Sequence, residues 1–238
     1  MNTVFNAMDR SRLLLDVSLW SAPLTDIDSG IRFSASSADL YHLDVADAHF
    51  VPVLLLFPDL IAAINTKTDK VLHVHLMMDE PLGHLDSFIE AGADIITIHA
   101  ELGNKAVEEN ISYLRQKGIA VGLALCVESD VSVLDGYLDR IDLVLLMGTP
   151  IGVKGVGMDS RTPDRVRAIK AKLRERGLLD RVVVSVDGGI RTETVPAVRQ
   201  AGADMITPGS LVFKSKDLEA TVAWLHGLQA DHQGKVGI

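Results

Sequence analysis

Eight short runs of apolar residues alternate with amphipathic stretches along the chain. Each run has the length of a strand, and runs such as YHLDVA and VVVSVDGG lack the polar alternation of a sheet with one face in water. The pattern therefore predicts strands of a parallel sheet that are buried on both faces. The predicted strands cover residues 13–20, 40–46, 71–78, 94–100, 120–127, 143–148, 182–189 and 204–210.

The stretches between these runs predict helices. Their apolar residues recur at three- and four-residue spacing and most of the stretches stop at Gly, as helix C-termini often do. Helices are predicted over residues 58–68, 82–92, 104–118, 162–177, 192–202 and 218–229. Eight strands with helices between them in 238 residues predict an α/β fold, a closed (β/α)8 TIM barrel.

The domain organisation follows from the uniformity of the pattern. No Pro-, Gly- or Ser-rich linker divides the sequence, which predicts one barrel domain over residues 12–238 after an N-terminal extension of residues 1–11. The longest connection, residues 149–161, follows the sixth strand and is rich in Gly. We expect it to be a mobile loop over the active site.

Composition narrows the possible partners. The formal net charge is −9, which argues against a nucleic-acid partner. No apolar run approaches the roughly 18 residues of a membrane span, and the first residues lack the apolar core of a secretory signal. The single cysteine, Cys126, excludes an internal disulfide. We expect a cytoplasmic protein with a small-molecule substrate and no membrane partner.

Four polar side chains interrupt the buried runs where apolar residues would otherwise stand: His42, Asp44, His75 and Asp187. A neutral polar group buried without a partner costs on the order of 2–7 kcal/mol, and a charge costs more. Any one of them is more simply a core residue bonded to a neighbour. Because all four lie near the carboxyl ends of strands, where barrel active sites are built, together they predict a site for Zn²⁺, Mn²⁺, Fe²⁺ or Co²⁺.

Three further histidines are interpreted as structural, core or supporting groups. His73 shares the strand face of His75 but lies deeper, so we expect a structural role. His49 and His99 are expected to be core or supporting groups.

Glycine-bearing segments follow strands six, seven and eight. In barrels of this type, backbone N–H groups after strands seven and eight commonly bind phosphate. Alone, such glycines often only make turns. Their positions nevertheless predict a phosphate site formed by Gly188, Gly189, Gly209 and Ser210, and the strand-six loop with Gly152 and Gly155 is expected to expose backbone N–H groups as well.

Several segments resemble the ribulose-phosphate 3-epimerase family. They are HLDVADAHFVP (42–52), HLMMDEP (75–81), GADIITIHAE (92–101), VDGGI (186–190) and GADMITPGSLVF (202–213). Their order and spacing match the family from about residue 18 to residue 228. The resemblance implies an isomerase of carbohydrate metabolism that acts in a homo-oligomer.

The resemblance also implies roles for individual residues. Asp44 and Asp187 would be the catalytic acid and base, and one divalent ion would be held by both of them with His42 and His75. Substrate contacts are implied for Ser21, His75, Met77 and Met147, and phosphate contacts for the glycine segments named above.

The implied chemistry has a physical basis. Inverting a carbon beside a ketone requires a base to remove a proton on one face and an acid to return a proton on the other. The enediolate formed between these steps carries negative charge that a bound cation stabilises. Two aspartates and a metal satisfy both requirements.

The sequence departs from the family pattern around the cavity. Ala46, Ala48 and Val53 stand where the family has Met, Gly and Asn, and Lys154 stands in the strand-six loop where Gly is expected. Lys154 is either a phosphate contact or an exposed lysine of the lid.

These departures leave the substrate open. The default pair is D-ribulose 5-phosphate and D-xylulose 5-phosphate, and the alternatives are another ketose phosphate, such as allulose 6-phosphate or a tetrulose phosphate, or a sugar-phosphate-binding protein without catalysis. A decarboxylase of the orotidine-phosphate type is disfavoured, because Asp44-Val-Ala-Asp47 lacks the lysine of the D-x-K-x-x-D pattern.

Overall fold

Eight parallel strands close into a barrel in chain order in the computed structural model, which describes residues 4–231. The predicted (β/α)8 TIM barrel is therefore confirmed. The strands are β1 (Leu14–Ser18), β2 (Leu40–Ala46), β3 (Val71–Met77), β4 (Ile95–His99), β5 (Ala120–Leu125), β6 (Leu143–Met147), β7 (Val183–Asp187) and β8 (Met205–Thr207).

Helices connect most of the strands. They are α1 (Ile27–Ser34), α2 (Pro58–Asn65), α3 (Leu85–Glu90), α4 (Asn104–Gln116), α5 (Thr162–Glu175), α6 (Val195–Gln200), α7 (Ser210–Phe213) and α8 (Leu218–Gly227). Between β5 and β6 the chain forms a 3₁₀ helix, Val131–Gly136. Helix α1 was not predicted from the pattern, although its N-cap Asp26 accepts a hydrogen bond from the Ser29 N–H in the way that starts many helices.

The interior of the barrel changes from apolar to polar along the strands. At the amino-terminal end, Leu14, Leu40, Ile95 and five similar residues form a closed apolar cluster. Because side chains on one face of a strand recur every second residue, His42 and Asp44 point to the same side as Leu40. The strand registers pair His42 with His73 and Asp44 with His75. Polar groups are thus gathered at the carboxyl end.

The first described residues lie against the amino-terminal end of the barrel. Val4–Ala7 form a 3₁₀ helix whose Phe5 is buried and packs on the apolar cluster of that end. The described helices include none of the length and hydropathy needed to cross a membrane.

Candidate active site

The four predicted metal ligands meet at the carboxyl end of the barrel. His42 Nε2 lies 3.2 Å from Asp44 Oδ1, 3.4 Å from His75 Nδ1 and 3.8 Å from Asp187 Oδ2, and His75 Nδ1 lies 3.3 Å from Asp44 Oδ1. Nitrogen and oxygen ligands about 2.0–2.2 Å from a tetrahedral zinc ion stand about 3.3–3.6 Å from one another. The residues therefore fit a divalent metal ion without large rearrangement.

A buried carboxylate from β1 supports the cluster from below. Asp16 Oδ2 lies 2.9 Å from His42 Nδ1 and 2.6 Å from His73 Nδ1, and His73 Nε2 lies 2.7 Å from Thr97 Oγ1. All four side chains are buried. His73 thus occupies the supporting position expected of it. Asp16 was missed, although a carboxylate inside the apolar run LLLDVSLW carries the same signal that identified Asp44.

The two candidate catalytic aspartates differ in electrostatic environment. Burial raises the pKa of Asp187 to about 7; the nearby His42 opposes this rise, while the carboxylates of Asp44 and Asp16 add to it. Burial also opposes ionisation of Asp44, but the charge of His42 and its hydrogen bond outweigh burial and hold the pKa of Asp44 well below its usual range. Near neutral pH the site thus pairs an ionised carboxylate with one that retains a proton for part of the time.

The pKa values of His42 and His75 are also shifted in opposite directions. Burial opposes a charged His42, but the carboxylates of Asp44 and Asp16 raise the pKa of His42 well above its usual value. Burial lowers the pKa of His75 to about 3, against the opposing charge of the nearby Asp44 carboxylate. His75 is therefore a neutral imidazole, the form that binds metals.

A cavity opens above the cluster, and most of the predicted substrate residues form its wall. Among its lining residues are Ser21, Asp44, Met77, Met147, Gly152, Lys154, Gly155, Asp187, Gly188, Gly189, Gly209 and Ser210. His75 is fully buried and is not part of this wall. Trp20 and Arg191, which sequence reasoning did not select, line the cavity as well.

The predicted phosphate loops pack closely on their neighbours. Gly189 has a φ of +68°, and a Cβ atom added to it would lie 2.6 Å from the Met158 backbone nitrogen. A Cβ atom on Gly209 would lie 2.2 Å from Ser21 Oγ. A side chain at either position would therefore clash with Met158 or Ser21, so the packing of these loops requires glycine.

The strand-six loop is tied down at both sides of the cavity. Lys154 Nζ donates a hydrogen bond to the Trp20 carbonyl oxygen at 2.6 Å and lies 4.2 Å from the centre of the Trp20 ring. Arg191 donates to the carbonyl oxygens of Gly155 and Val156 at 2.9 and 3.0 Å. Lys154 therefore contacts the segment after β1 rather than pointing freely into solvent.

The fold and this cluster define a TIM-barrel protein with a metal-compatible acid and base site at the carboxyl ends of its strands. The sequence model of the ribulose-phosphate 3 epimerase family matches residues 14–213. The chain therefore belongs to the ribulose-phosphate 3-epimerase family, which confirms the family predicted from sequence and the assignment to the isomerases.

Individual relatives are similar over most of their length. The ribulose-phosphate 3-epimerase of Bacillus subtilis is 32% identical over 91% of this chain and 96% of its own, and that of Treponema pallidum is 36% identical over 87% and 93%. Among solved structures, a 3-hexulose-6-phosphate synthase shares the fold, with a TM-score of 0.65 over 92% of this chain and 100% of its own. At 19% identity that likeness concerns the fold alone.

Proposed function

We propose that the protein is a metal-dependent ketose-phosphate 3-epimerase that interconverts D-ribulose 5-phosphate and D-xylulose 5-phosphate. The observation that carries the proposal is the pairing of Asp44 and Asp187, two carboxylates with opposite pKa shifts that share one cavity and one cluster of candidate ligands. The names of the bacterial relatives support the substrate pair.

In this proposal His42, Asp44, His75 and Asp187 hold the ion, for which Zn²⁺, Mn²⁺, Fe²⁺ and Co²⁺ all suit the nitrogen and oxygen donor set. The ion, when bound, supplies Lewis-acid stabilisation to negative charge that develops on the substrate oxygens.

The proton transfers are assigned to the two aspartates. In one direction the ionised Asp44 removes the proton from C3 of the ketose, and Asp187 delivers its proton to the opposite face of the same carbon. In the other direction the two residues exchange roles. The carboxyls come from β2 and β7, which are not neighbours in the barrel, so they reach the cavity from different sides. Matched acid and base groups of this kind typically accelerate proton transfer by about 10²–10⁴-fold each.

The phosphate is assigned to the backbone of Gly188, Gly189 and Gly209 together with Ser210. All four of these residues line the cavity above the candidate metal ligands. The loop containing Gly152 and Gly155 covers the substrate, and Met77 and Met147 line the cavity beside it.

A second candidate substrate class comes from one position that packs behind the cavity wall. Ala46 stands where the family has Met, and it packs with Val51 and Met77 at the mouth. The smaller side chain favours a ketose phosphate of different chain length or stereochemistry, such as allulose 6-phosphate or a tetrulose phosphate.

The test is exchange of the C3 proton with solvent deuterium, followed by NMR over a panel of ketose phosphates with the metal-loaded enzyme. Wild type is expected to exchange the C3 proton of D-ribulose 5-phosphate and to convert it to D-xylulose 5-phosphate, and Asp187→Asn is expected to lose that conversion by at least about 10²-fold while remaining folded. Asp59→Asn, a change at an exposed aspartate of α2, is the control. Conversion by Asp187→Asn at the wild-type rate would contradict its role. Tight binding of a sugar phosphate by wild type without any exchange would identify a non-catalytic binding protein.

The proposed location is the cytoplasm, since a single Cys allows no internal disulfide, as is usual in reducing compartments. The proposed assembly is a homo-oligomer, and light scattering of the purified protein measures it directly.

A further inference from the structure

Two histidines, His75 and His99, connect the candidate metal ligands to the carboxylate of Glu101, which lies outside that cluster. His75 Nε2 lies 2.9 Å from His99 Nε2, and His99 Nδ1 lies 3.1 Å from Glu101 Oε2. The rings of His75 and His99 stack with their centres 5.0 Å apart. Both histidine side chains are fully buried, and the Glu101 side chain is 24% exposed.

Two arrangements of protons are possible along this row, because Nδ1 of His75 lies 3.3 Å from the Asp44 carboxylate, which can only accept a proton, and 3.4 Å from Nε2 of His42, which can donate one. The contact to Glu101 at the other end selects between them. A neutral imidazole has one N–H and one nitrogen lone pair, and an ionised carboxylate only accepts. The Nδ1 atom of His99 must therefore carry the proton that points to Glu101. The Nε2 atom of His99 is then an acceptor, and Nε2 of His75 must carry the proton between the two rings. This leaves the lone pair of His75 on Nδ1, the atom that faces Asp44 and His42.

We propose that Glu101 sets the tautomer of His75 through His99 and so keeps Nδ1 of His75 free to bind the metal. The inference rests on the proposed function in one respect, namely that His75 is a metal ligand. Glu101 acts as a positioning residue, because it touches neither the metal cluster nor the cavity. Partners of this kind hold a ligating imidazole in one tautomer and typically change metal affinity by about 10–100-fold.

The second carboxylate oxygen of Glu101 accepts hydrogen bonds of its own, which fix the orientation of the carboxylate. Glu101 Oε1 accepts a hydrogen bond from the Cys126 backbone N–H at 2.8 Å and another from the Ser129 hydroxyl. A backbone N–H only donates. The Cys126 thiol also lies 3.5 Å from His99 Nδ1, but a thiol is a weak partner beside a carboxylate.

The substitution Glu101→Gln is expected to reverse the tautomers of His99 and His75. Its single amide oxygen must face the Cys126 N–H, so its NH₂ group turns toward His99 and donates to Nδ1. The Nε2 atom of His99 then carries the proton and donates to His75, and Nδ1 of His75 becomes protonated. Metal binding at that nitrogen would have to displace the proton.

The direct test is the histidine tautomer in the metal-free protein, read from long-range ¹H–¹⁵N correlations at neutral pH. Wild type is expected to show His75 protonated at Nε2 and His99 at Nδ1, and Glu101→Gln is expected to show the reverse for both rings. Glu101→Asp, which keeps a carboxylate, is expected to retain the wild-type tautomers. A His75 ring protonated at Nδ1 in the metal-free wild type would overturn the proposal, whether or not the variants fold.

Metal affinity supplies the second readout. The zinc dissociation constant, measured by chelator competition, is expected to rise about 10–100-fold in Glu101→Gln and to stay unchanged in Glu128→Gln, where the side chain is 85% exposed. Unchanged affinity in a folded Glu101→Gln protein would overturn the proposal.

Neither readout depends on epimerase activity. If the tautomers and the zinc affinity behave as expected while no ketose phosphate exchanges its proton, the proposed function fails and the inference stands. If wild type epimerises a ketose phosphate but the tautomers do not invert in Glu101→Gln, only the inference fails.

Discussion

Asp16 Oδ2 lies 2.9 Å from Nδ1 of His42, and both side chains are completely buried. The hydrogen bond places a proton on Nδ1 of His42 and turns Nε2 toward Asp44, Asp187 and His75. A carboxylate from β1 thus orients a candidate metal ligand on β2.

We expect Asp16→Asn to weaken zinc binding by about 10–100-fold, because an amide oxygen holds two imidazole N–H groups less strongly than a carboxylate does. Chelator competition measures the zinc dissociation constant. Asp69→Asn, at an exposed position, is the matched control and should leave the constant unchanged. Wild-type affinity in a folded Asp16→Asn protein would contradict the orienting role.

The raised pKa of Asp187 predicts a pH-dependent cost to stability in the metal-free protein. Its folded-state pKa is about 7, above an unfolded value of about 3.9, so stability that is present below pH 4 is lost as the pH rises to 7. Asp187→Asn removes the charge. Its free energy of unfolding is expected to exceed that of wild type by about 1–3 kcal/mol at pH 8, with the difference shrinking to near zero at pH 4.

Urea denaturation of both metal-free proteins between pH 4 and pH 8 checks this prediction. With saturating zinc the sign should reverse, because the variant loses a ligand and wild type is stabilised by binding. A difference that does not vary with pH would show that Asp187 is not held in an environment that resists its charge.

Lys154 is expected to restrain the strand-six loop. Replacing it with Met keeps most of the length of the side chain and removes both the hydrogen bond to Trp20 and the charge over its ring. Such contacts contribute about 0.5–1.5 kcal/mol, which corresponds to about 2–10-fold faster opening. Hydrogen–deuterium exchange of the amides in residues 151–156 measures the change. Lys154→Arg keeps the cation and should exchange like wild type, and equal rates in all three proteins would show that the contact does not restrain the loop.

Ala48 has a left-handed backbone conformation, with a φ of +62°, at the position where the family has Gly. A non-glycine residue in that conformation costs roughly 1–2 kcal/mol. Gly avoids this cost, but its greater conformational freedom in the unfolded chain cancels part of the gain. Ala48→Gly is expected to raise the free energy of unfolding by about 0.5–1 kcal/mol in urea denaturation.

The control for that experiment is Ala62→Gly, at an exposed position in helix α2, which should lower stability by about 1 kcal/mol. The same replacement of Ala by Gly is therefore expected to raise the free energy of unfolding at position 48 and to lower it at position 62. Destabilisation by both would show that the turn at Ala48 tolerates its side chain without strain.

Local pattern was enough to predict the barrel and much of the candidate site. Buried parallel strands have a visible composition, and residues two apart on a strand share a face, so strand period alone places His42 and Asp44 together. The same rule for strand ends predicts where the glycine segments after β7 and β8 lie. Asp16 was detectable by the same signal as Asp44 but was overlooked.

The proposed role of Glu101 could not be predicted from local sequence pattern. It follows β4 in a short 3₁₀ helix, where a glutamate is ordinary, and its meaning arises only because β5 brings the Cys126 N–H to one oxygen while His99 meets the other. The amino-acid sequence by itself determined which residues are buried and which end of each strand carries chemistry, because burial and strand period are local properties. The closure and stagger of the barrel decided which nitrogen of each imidazole faces a carboxylate, because those contacts join side chains from different strands at distances set by the packing of the whole sheet.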